Sequence, residues 1–331
     1  MRSKNVSRIF LMSFSAVTFA AFAPAHAQSN YPSKPISFVV PYAAGGSSDT
    51  RSRQLAQQLS AKLNVPVVVE NKPGASGNIG TGFIARATPD GYTIGLGNFA
   101  PLAVNKALYG KSLGFDPEKD IAPIALIERG ALVLGVNAKS PYSDFASLLD
   151  AAKADPQKLN YASTGAGGAS HLVSELLKVN SGLSATHVPY RGGAPAANDL
   201  LGGSVDFYLE LASLFMPHTS GDQPRLKLLA VSAEQRLKAL PDVPTFEELG
   251  VKDMVASNWF GVIAPAGTPQ DNLDVLNQHI NEALKDPTYR RIVESQGAEV
   301  AGGTPQAFAT FIDDESARWK ELIRAQDITI Q

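Results

Sequence analysis

Ile36-Ser-Phe-Val-Val-Pro-Tyr-Ala-Ala-Gly-Gly-Ser-Ser-Asp49 is the stretch on which the fold turns. A short apolar run, 36–40, stops at Pro41 and is followed by a turn with paired glycines. Residues 49–63 then place Leu55, Leu59 and Leu63 four apart, with Arg51, Arg53 and Lys62 free to point to water. The first pattern predicts a buried strand and the second an amphipathic helix. The succession recurs in a strand at 67–69, a helix at 78–87 and a strand at 92–96. It resumes with strands at 132–136, 159–162, 186–189, 205–209 and 226–231, and helices at 144–154, 170–179 and 194–201. Apolar strands separated by helices predict parallel sheets covered on both faces, here in two α/β lobes.

Two extended stretches, 120–127 and 257–265, separate these blocks, and helices are predicted at 271–285, 288–296 and 305–325. If those last helices return to the first lobe, the chain crosses between lobes twice. The expected division is 28–127 with 256–331 as lobe one and 128–255 as lobe two.

The 331-residue chain is 44% apolar and 18% charged, enough to bury a sizeable core. Zero cysteines exclude disulfides and thiolate chemistry. Arg2, Lys4 and Arg8 precede an apolar run from Ile9 to about Ala23, and Ala25-His-Ala27 supplies the small residues of a cleavage site. This reads as a secretory signal peptide, cut after Ala27. Taking its three basic residues from the 29 leaves 26 against 31 acidic ones, a formal charge of -5 for the exported part. Nothing there favours nucleic acid, and export removes the nucleotide pools that kinases and dehydrogenases need. Binding, hydrolysis and envelope structure remain.

Three glycine-rich turns carry the candidate site. In Tyr42, Ala43, Ala44, Gly45 and Gly46, glycines let the backbone approach a ligand closely, and the following helix offers free N–H groups that favour anions. Asp49 either complements that helix dipole or touches ligand. Ser76, Gly77 and Asn78 repeat the arrangement after the second strand, without the glycine spacing of a dinucleotide fold. Thr164, Gly165, Ala166 and Gly167 form a third turn in the other lobe. His171 follows it with no partner at metal-ligand spacing, so packing, capping or ligand contact are its alternatives. Arg191, before Gly192, can grip a carboxylate in two-pronged fashion or form a salt bridge. Glu210, at the end of the 205–209 strand, can accept bonds from an amine or hydroxyl.

These turns, together with Val188-Pro-Tyr-Arg-Gly-Gly-Ala-Pro-Ala-Ala-Asn-Asp-Leu-Leu-Gly-Gly203, Leu240-Pro-Asp-Val-Pro-Thr-Phe-Glu-Glu-Leu-Gly250 and Trp259-Phe-Gly-Val-Ile-Ala-Pro-Ala-Gly-Thr-Pro269, resemble the Bug family. These are periplasmic solute receptors of tripartite tricarboxylate transporters, of the TctC type. The resemblance implies a two-lobed, Venus-flytrap, type II-like periplasmic binding protein. It would close on a small carboxylate such as a dicarboxylate, an acidic amino acid or an aromatic acid, with no cofactor and no metal. It also implies a membrane permease as partner, and a monomer is expected. By motif position it selects 42–46 and 76–78 in lobe one, 164–167, His171, Arg191 and Gly192 in lobe two, and adds Asn98. Two departures stand out. Tyr42 and Ala44 replace the phenylalanine and proline of many relatives, and the acidic Glu210 suits a ligand with a positive or hydroxyl group better than a third carboxylate.

The rival class is a secreted hydrolase, but no G-x-S-x-G or H-E-x-x-H occurs in the chain. A third reading couples the same binding fold to a sensor kinase.

Overall fold

In the computed structural model, residues 31–325 are described; the expected signal segment and its cleavage site lie outside them. The chain begins with the expected unit. Strand β1 (Ile36–Val40) runs into helix α1 (Ser47–Leu63), whose Leu55, Leu59 and Leu63 are buried as their spacing predicts. Arg51 corrects that reading, because it is buried rather than turned to water and pairs with buried Glu128. Next come β2 (Val67–Asn71), α2 (Asn78–Ala85) and β3 (Thr93–Asn98). A π-helical turn over Ala100–Val104 leads into α3 (Asn105–Tyr109).

Strand β4 (Ile121–Asn137) then spans 17 residues. The sequence pattern divides it into an extended crossing and a separate strand, yet it is one element. Bulges near Pro123 and Leu126 absorb its irregularity, which is where a strand tolerates proline. Beyond it lie α4 (Phe145–Ala154), β5 (Asn160–Ser163), α5 (Ala169–Ser181), β6 (Thr186–Pro189), α6 (Gly193–Gly202), β7 (Phe207–Leu211), α7 (Ala212–Phe215) and β8 (Leu226–Val231). The chain ends with β9 (Ser257–Pro265), α8 (Gln270–Leu284), α9 (Pro287–Ser295), β10 (Ala298–Val300) and α10 (Pro305–Ala325).

The strand order is β2-β1-β3-β9-β4-β7-β5-β6, with β8 and β10 also on β4. The outer pairs β1–β2, β1–β3, β5–β6 and β5–β7 are parallel, as expected. The centre is not: β9 runs antiparallel to both β3 and β4, and β4 antiparallel to β7 and β8. The sheets are therefore mixed, since an apolar run buried on both faces does not encode its direction. Residues 121–131 of β4 pair with β9 in one sheet, and residues 132–137 pair with β7 and β8 in the other.

One apolar cluster packs Phe38, Leu55 and Leu59 against Leu276 and Ile280 of α8. Helix α10 lies over the same half, with Trp319 edge-on to Phe99 and Phe308 edge-on to Trp259. A further cluster joins Ala162, Leu200, Tyr208 and Val231 in the other half. Parallel strands on either side of the β4 and β9 pair thus aim the loops at their carboxyl ends toward each other.

Candidate functional site

The glycine turns meet. Ala43 donates its N–H to the carbonyl of Arg191 at 3.2 Å, and the Ser76 hydroxyl donates to the carbonyl of Ala166. Tyr109 also reaches that carbonyl, at 3.4 Å. Gly192 and Gly165 make the approach possible: a Cβ on Gly192 would stand 2.9 Å from the Ala43 nitrogen, and one on Gly165 would stand 2.5 Å from the Ser76 hydroxyl. Both have positive φ, +150° and +123°, which side chains rarely adopt. Gly46 is buried where α1 starts, against Gly193 and Ala194 at the start of α6, while Ala44 and Gly45 are exposed.

Four helices around this meeting point share one property. α1, α2, α5 and α6 start from Gly46, Gly77, Gly168 and Gly192, and none has a side-chain cap. The N–H groups of a first helical turn have no intrahelical partner. Away from the cleft, α4 is closed by a capping box on Asp144 and α9 by Asp286, which accepts two N–H bonds. In α2 the Asn78 and Ile79 N–H groups are taken by the Ala75 and Gly74 carbonyls, so the open donors of the cleft are those at the starts of α1, α5 and α6, a geometry that favours anions.

Several side chains hold this frame. Asp49 accepts from the Gly45 N–H at 2.9 Å, Arg53 at 3.0 Å and Asn71 at 2.9 Å. Its burial opposes ionisation, but Arg53, Gly45 and Asn71 outweigh it and hold the carboxyl below its ordinary range. The residue thus fastens the first loop to α1 and β2. The Tyr42 hydroxyl bonds the Ser76 carbonyl at 3.2 Å and Asn98 at 3.1 Å, which joins the first two loops. Burial drives its phenol far upward, so it stays protonated. Asn78 accepts from Asn105 at 2.6 Å.

In the third turn, Ser170 accepts the Thr164 N–H at 3.0 Å and lies 3.2 Å from its hydroxyl. His171 accepts the Gly167 N–H on Nδ1 at 3.0 Å. It stacks on His187 with centroids 4.1 Å apart, and Tyr161 stacks on both. Burial lowers His171 to about 4 and His187 to about 3, so both rings are neutral at pH 7. Ser163 lies 2.6 Å from His187 Nε2 and accepts the Gly165 N–H at 3.0 Å. A hydroxyl–imidazole pair suggests a nucleophile. Here, however, Ser163 is fully buried, and no carboxylate orients the ring among the described hydrogen bonds. The pair fixes the turn.

The Arg191 side chain is exposed and takes no part in the ion pairs among the described residues; its main chain is what meets the other half. Glu210 lies within β7 rather than beyond its strand, and it is 2% exposed. It accepts from Tyr208 at 2.8 Å and from the Leu211 N–H at 2.9 Å. Asn105, Tyr109 and Tyr208 had no distinguishing sequence signal. Asn105 follows a π-helical turn and not a glycine loop, and its amide oxygen is buried without a partner beside Gly167. Two recesses lie elsewhere. One of about 250 Å³ sits between α4, α5 and Leu249, and one of about 540 Å³ lies beside Glu118 and α10. Neither contains an expected site residue. Among the described residues no cluster has metal-ligand composition, and no helix is long and apolar enough to cross a membrane.

Known proteins resemble this chain over most of its length. Residues 52–328 match the family model described as the tripartite tricarboxylate transporter family receptor. Protein BugT of Bordetella pertussis is 36% identical over 321 residues, covering 97% of this chain and 98% of that protein. The structure of the periplasmic binding protein BugD superposes with a TM-score of 0.85 at 34% identity, covering 91% of this chain and all of that one. A protein of R. palustris solved with adipate superposes at 0.86 with 32% identity, covering 90% and 99%. The two-lobed fold is thus that of periplasmic binding proteins, and the chain belongs to the tripartite tricarboxylate transporter receptor family, whose members are periplasmic solute receptors and not enzymes.

Proposed function

We propose that this receptor binds a small carboxylated metabolite between its lobes, a dicarboxylate, an acidic amino acid or an aromatic acid, and delivers it to a tripartite permease in the membrane. The observation that carries the reading is the set of uncapped, glycine-started helices converging from both halves. A carboxylate loses its hydration on burial, and aligned N–H groups replace that water without a counter-cation. The first two loops, 42–46 and 76–78, hold the carboxylate. Asn98, 164–167, His171, Gly192 and the main chain of Arg191 form the rest of the enclosure, and Glu210 meets the remainder of the ligand. Asp49 supports the first loop from behind. The R. palustris relative with adipate makes a carboxylate the first choice of probe.

The ligand bonds both lobes and shifts the population from open to closed. Lobe one comprises 28–127 with 256–331 and lobe two 128–255, with the signal peptide removed after Ala27 and the mature protein a monomer. Calorimetric or thermal-shift titration of the purified receptor with a panel of small acids tests this. At least one is expected to raise the melting temperature, and no response to any carboxylate would count decisively against it.

A further inference from the structure

Charge around the meeting point of the loops is sparse. Arg191 is exposed, His171 and His187 are neutral, the Asp49 oxygens are taken by Gly45, Arg53 and Asn71, and Glu175 is taken by Lys178 and Tyr161. Glu210 remains. Its carboxyl accepts from Tyr208 and the Leu211 N–H of its own strand, and the Tyr42 phenol of the first loop and the Ser47 hydroxyl of the first turn of α1 are close enough to couple electrostatically with it. Among the described ion pairs none includes it. Tyr208 in turn neighbours Ser170 at the start of α5 and Gly193 at the start of α6. The Glu210–Tyr208 pair therefore sits where three open helix N-termini converge.

A carboxylate has about four acceptor positions, and the two bonds to Tyr208 and Leu211 leave capacity for more. We propose that Glu210 is the specificity-determining residue of this site, accepting a hydrogen bond from a hydroxyl or ammonium group close to the carboxylate gripped by α1. This rests on the carboxylate-receptor reading and names the ligand class within it: hydroxy and amino acids over their unsubstituted counterparts. Proximity follows from the packing: the Tyr208 hydroxyl, 2.8 Å from Glu210, lies 3.8 Å from where a Cβ on Gly193 would stand, and Gly193 packs against Gly46, the residue from which α1 starts. A second carboxylate placed there would set two like charges together in a buried site, and one of them would have to be protonated. Burial already pushes Glu210 upward, so it has little margin for such a neighbour.

The test uses acids matched in skeleton: succinate with malate and aspartate, butyrate with 2-hydroxybutyrate and 2-aminobutyrate, adipate with 2-aminoadipate, and benzoate with salicylate. Dissociation constants are measured by calorimetry for the wild type and for Glu210→Gln. On whichever skeleton binds, the wild type is expected to favour the donor-bearing member at least tenfold, and Glu210→Gln to bring that ratio within about twofold, with the amino acid losing most. Equal affinity for both members in the wild type would overturn the proposal, as would a ratio unchanged in Glu210→Gln. If that variant fails to fold, the wild-type ratio still decides, and Tyr208→Phe, which loosens Glu210, is expected to shrink it. Binding without preference overturns this inference alone. Binding of none of these acids overturns the receptor reading and this inference with it.

Discussion

Ala43 and Arg191 are joined backbone to backbone across the cleft, the N–H of one meeting the carbonyl of the other at 3.2 Å. The contact needs no side chain, so the arginine can be truncated without breaking it. The second bridge, from Ser76 to Ala166, does depend on a side chain. Arg191→Ala is therefore expected to leave carboxylate affinity within about twofold. Ser76→Ala removes a hydrogen bond that exists only when the loops meet, worth about 1 kcal/mol, and is expected to weaken affinity about fivefold. Its unliganded melting temperature should change little. Titration of both variants with the same acid checks the pair, and a large loss in Arg191→Ala would return the guanidinium to the site.

Asp49 supports the first loop by taking three donors, from Gly45, Arg53 and Asn71. Asp49→Ala removes three part-buried hydrogen bonds whose donors can turn partly to water, with an expected cost of about 1 kcal/mol. Arg53 is half exposed, so its share is discounted for solvent screening. Because the folded carboxyl lies below its ordinary range, its stabilising contribution is present above the unfolded value and is lost as pH falls through the folded one. Denaturant unfolding of Asp49→Ala against wild type at neutral pH reads the loss, and the gap between the two should narrow toward strongly acidic pH.

Much of this was legible in the chain, and the parts that were not have definite causes. Leu55, Leu59 and Leu63 announced the buried face of α1, and the glycine turns announced the loops because a close backbone approach leaves a mark in composition. Arg51 did not announce its burial, since a helical period identifies an apolar face but says nothing of an ion pair formed with Glu128, 77 positions later. Pro123 and Gly130 disguised β4 as two pieces, although bulges and a close neighbour, Leu211, accommodate them within one strand. Asn105 was invisible because its place in the cleft depends on the π-helical turn before it, and its partner Asn78 belongs to a different loop.

The buried Arg51–Glu128 pair ties α1 to β4, and Arg51 also donates to Gln54 at 2.5 Å and to Gln296 at 2.9 Å. Removing one partner leaves an uncompensated buried charge. Arg51→Met alone and Glu128→Leu alone are each expected to lose about 3 to 5 kcal/mol, whereas the double variant recovers most of that loss. A double-mutant cycle by denaturant unfolding measures the coupling. Additive losses would mean that the two charges do not meet.

His171 and His187 give the receptor an acid limit. Unfolded histidine takes up a proton near pH 6.5, whereas burial holds these rings down to about 4 and about 3. Between those values and pH 6.5 the unfolded chain binds protons that the native state refuses, so stability falls as pH drops through the window. The slope reaches about 1.4 kcal/mol per pH unit for each ring. Protonation would also convert Nδ1 of His171 from the acceptor of the Gly167 N–H into a donor and set two cations 4.1 Å apart at the ring centroids. Unfolding free energies at pH 7, 6 and 5 are thus expected to decline steeply, and His187→Asn, which keeps an acceptor for Ser163, should remove about half of the histidine contribution. A slope unchanged in that variant would place the acid sensitivity on carboxylates elsewhere in the fold.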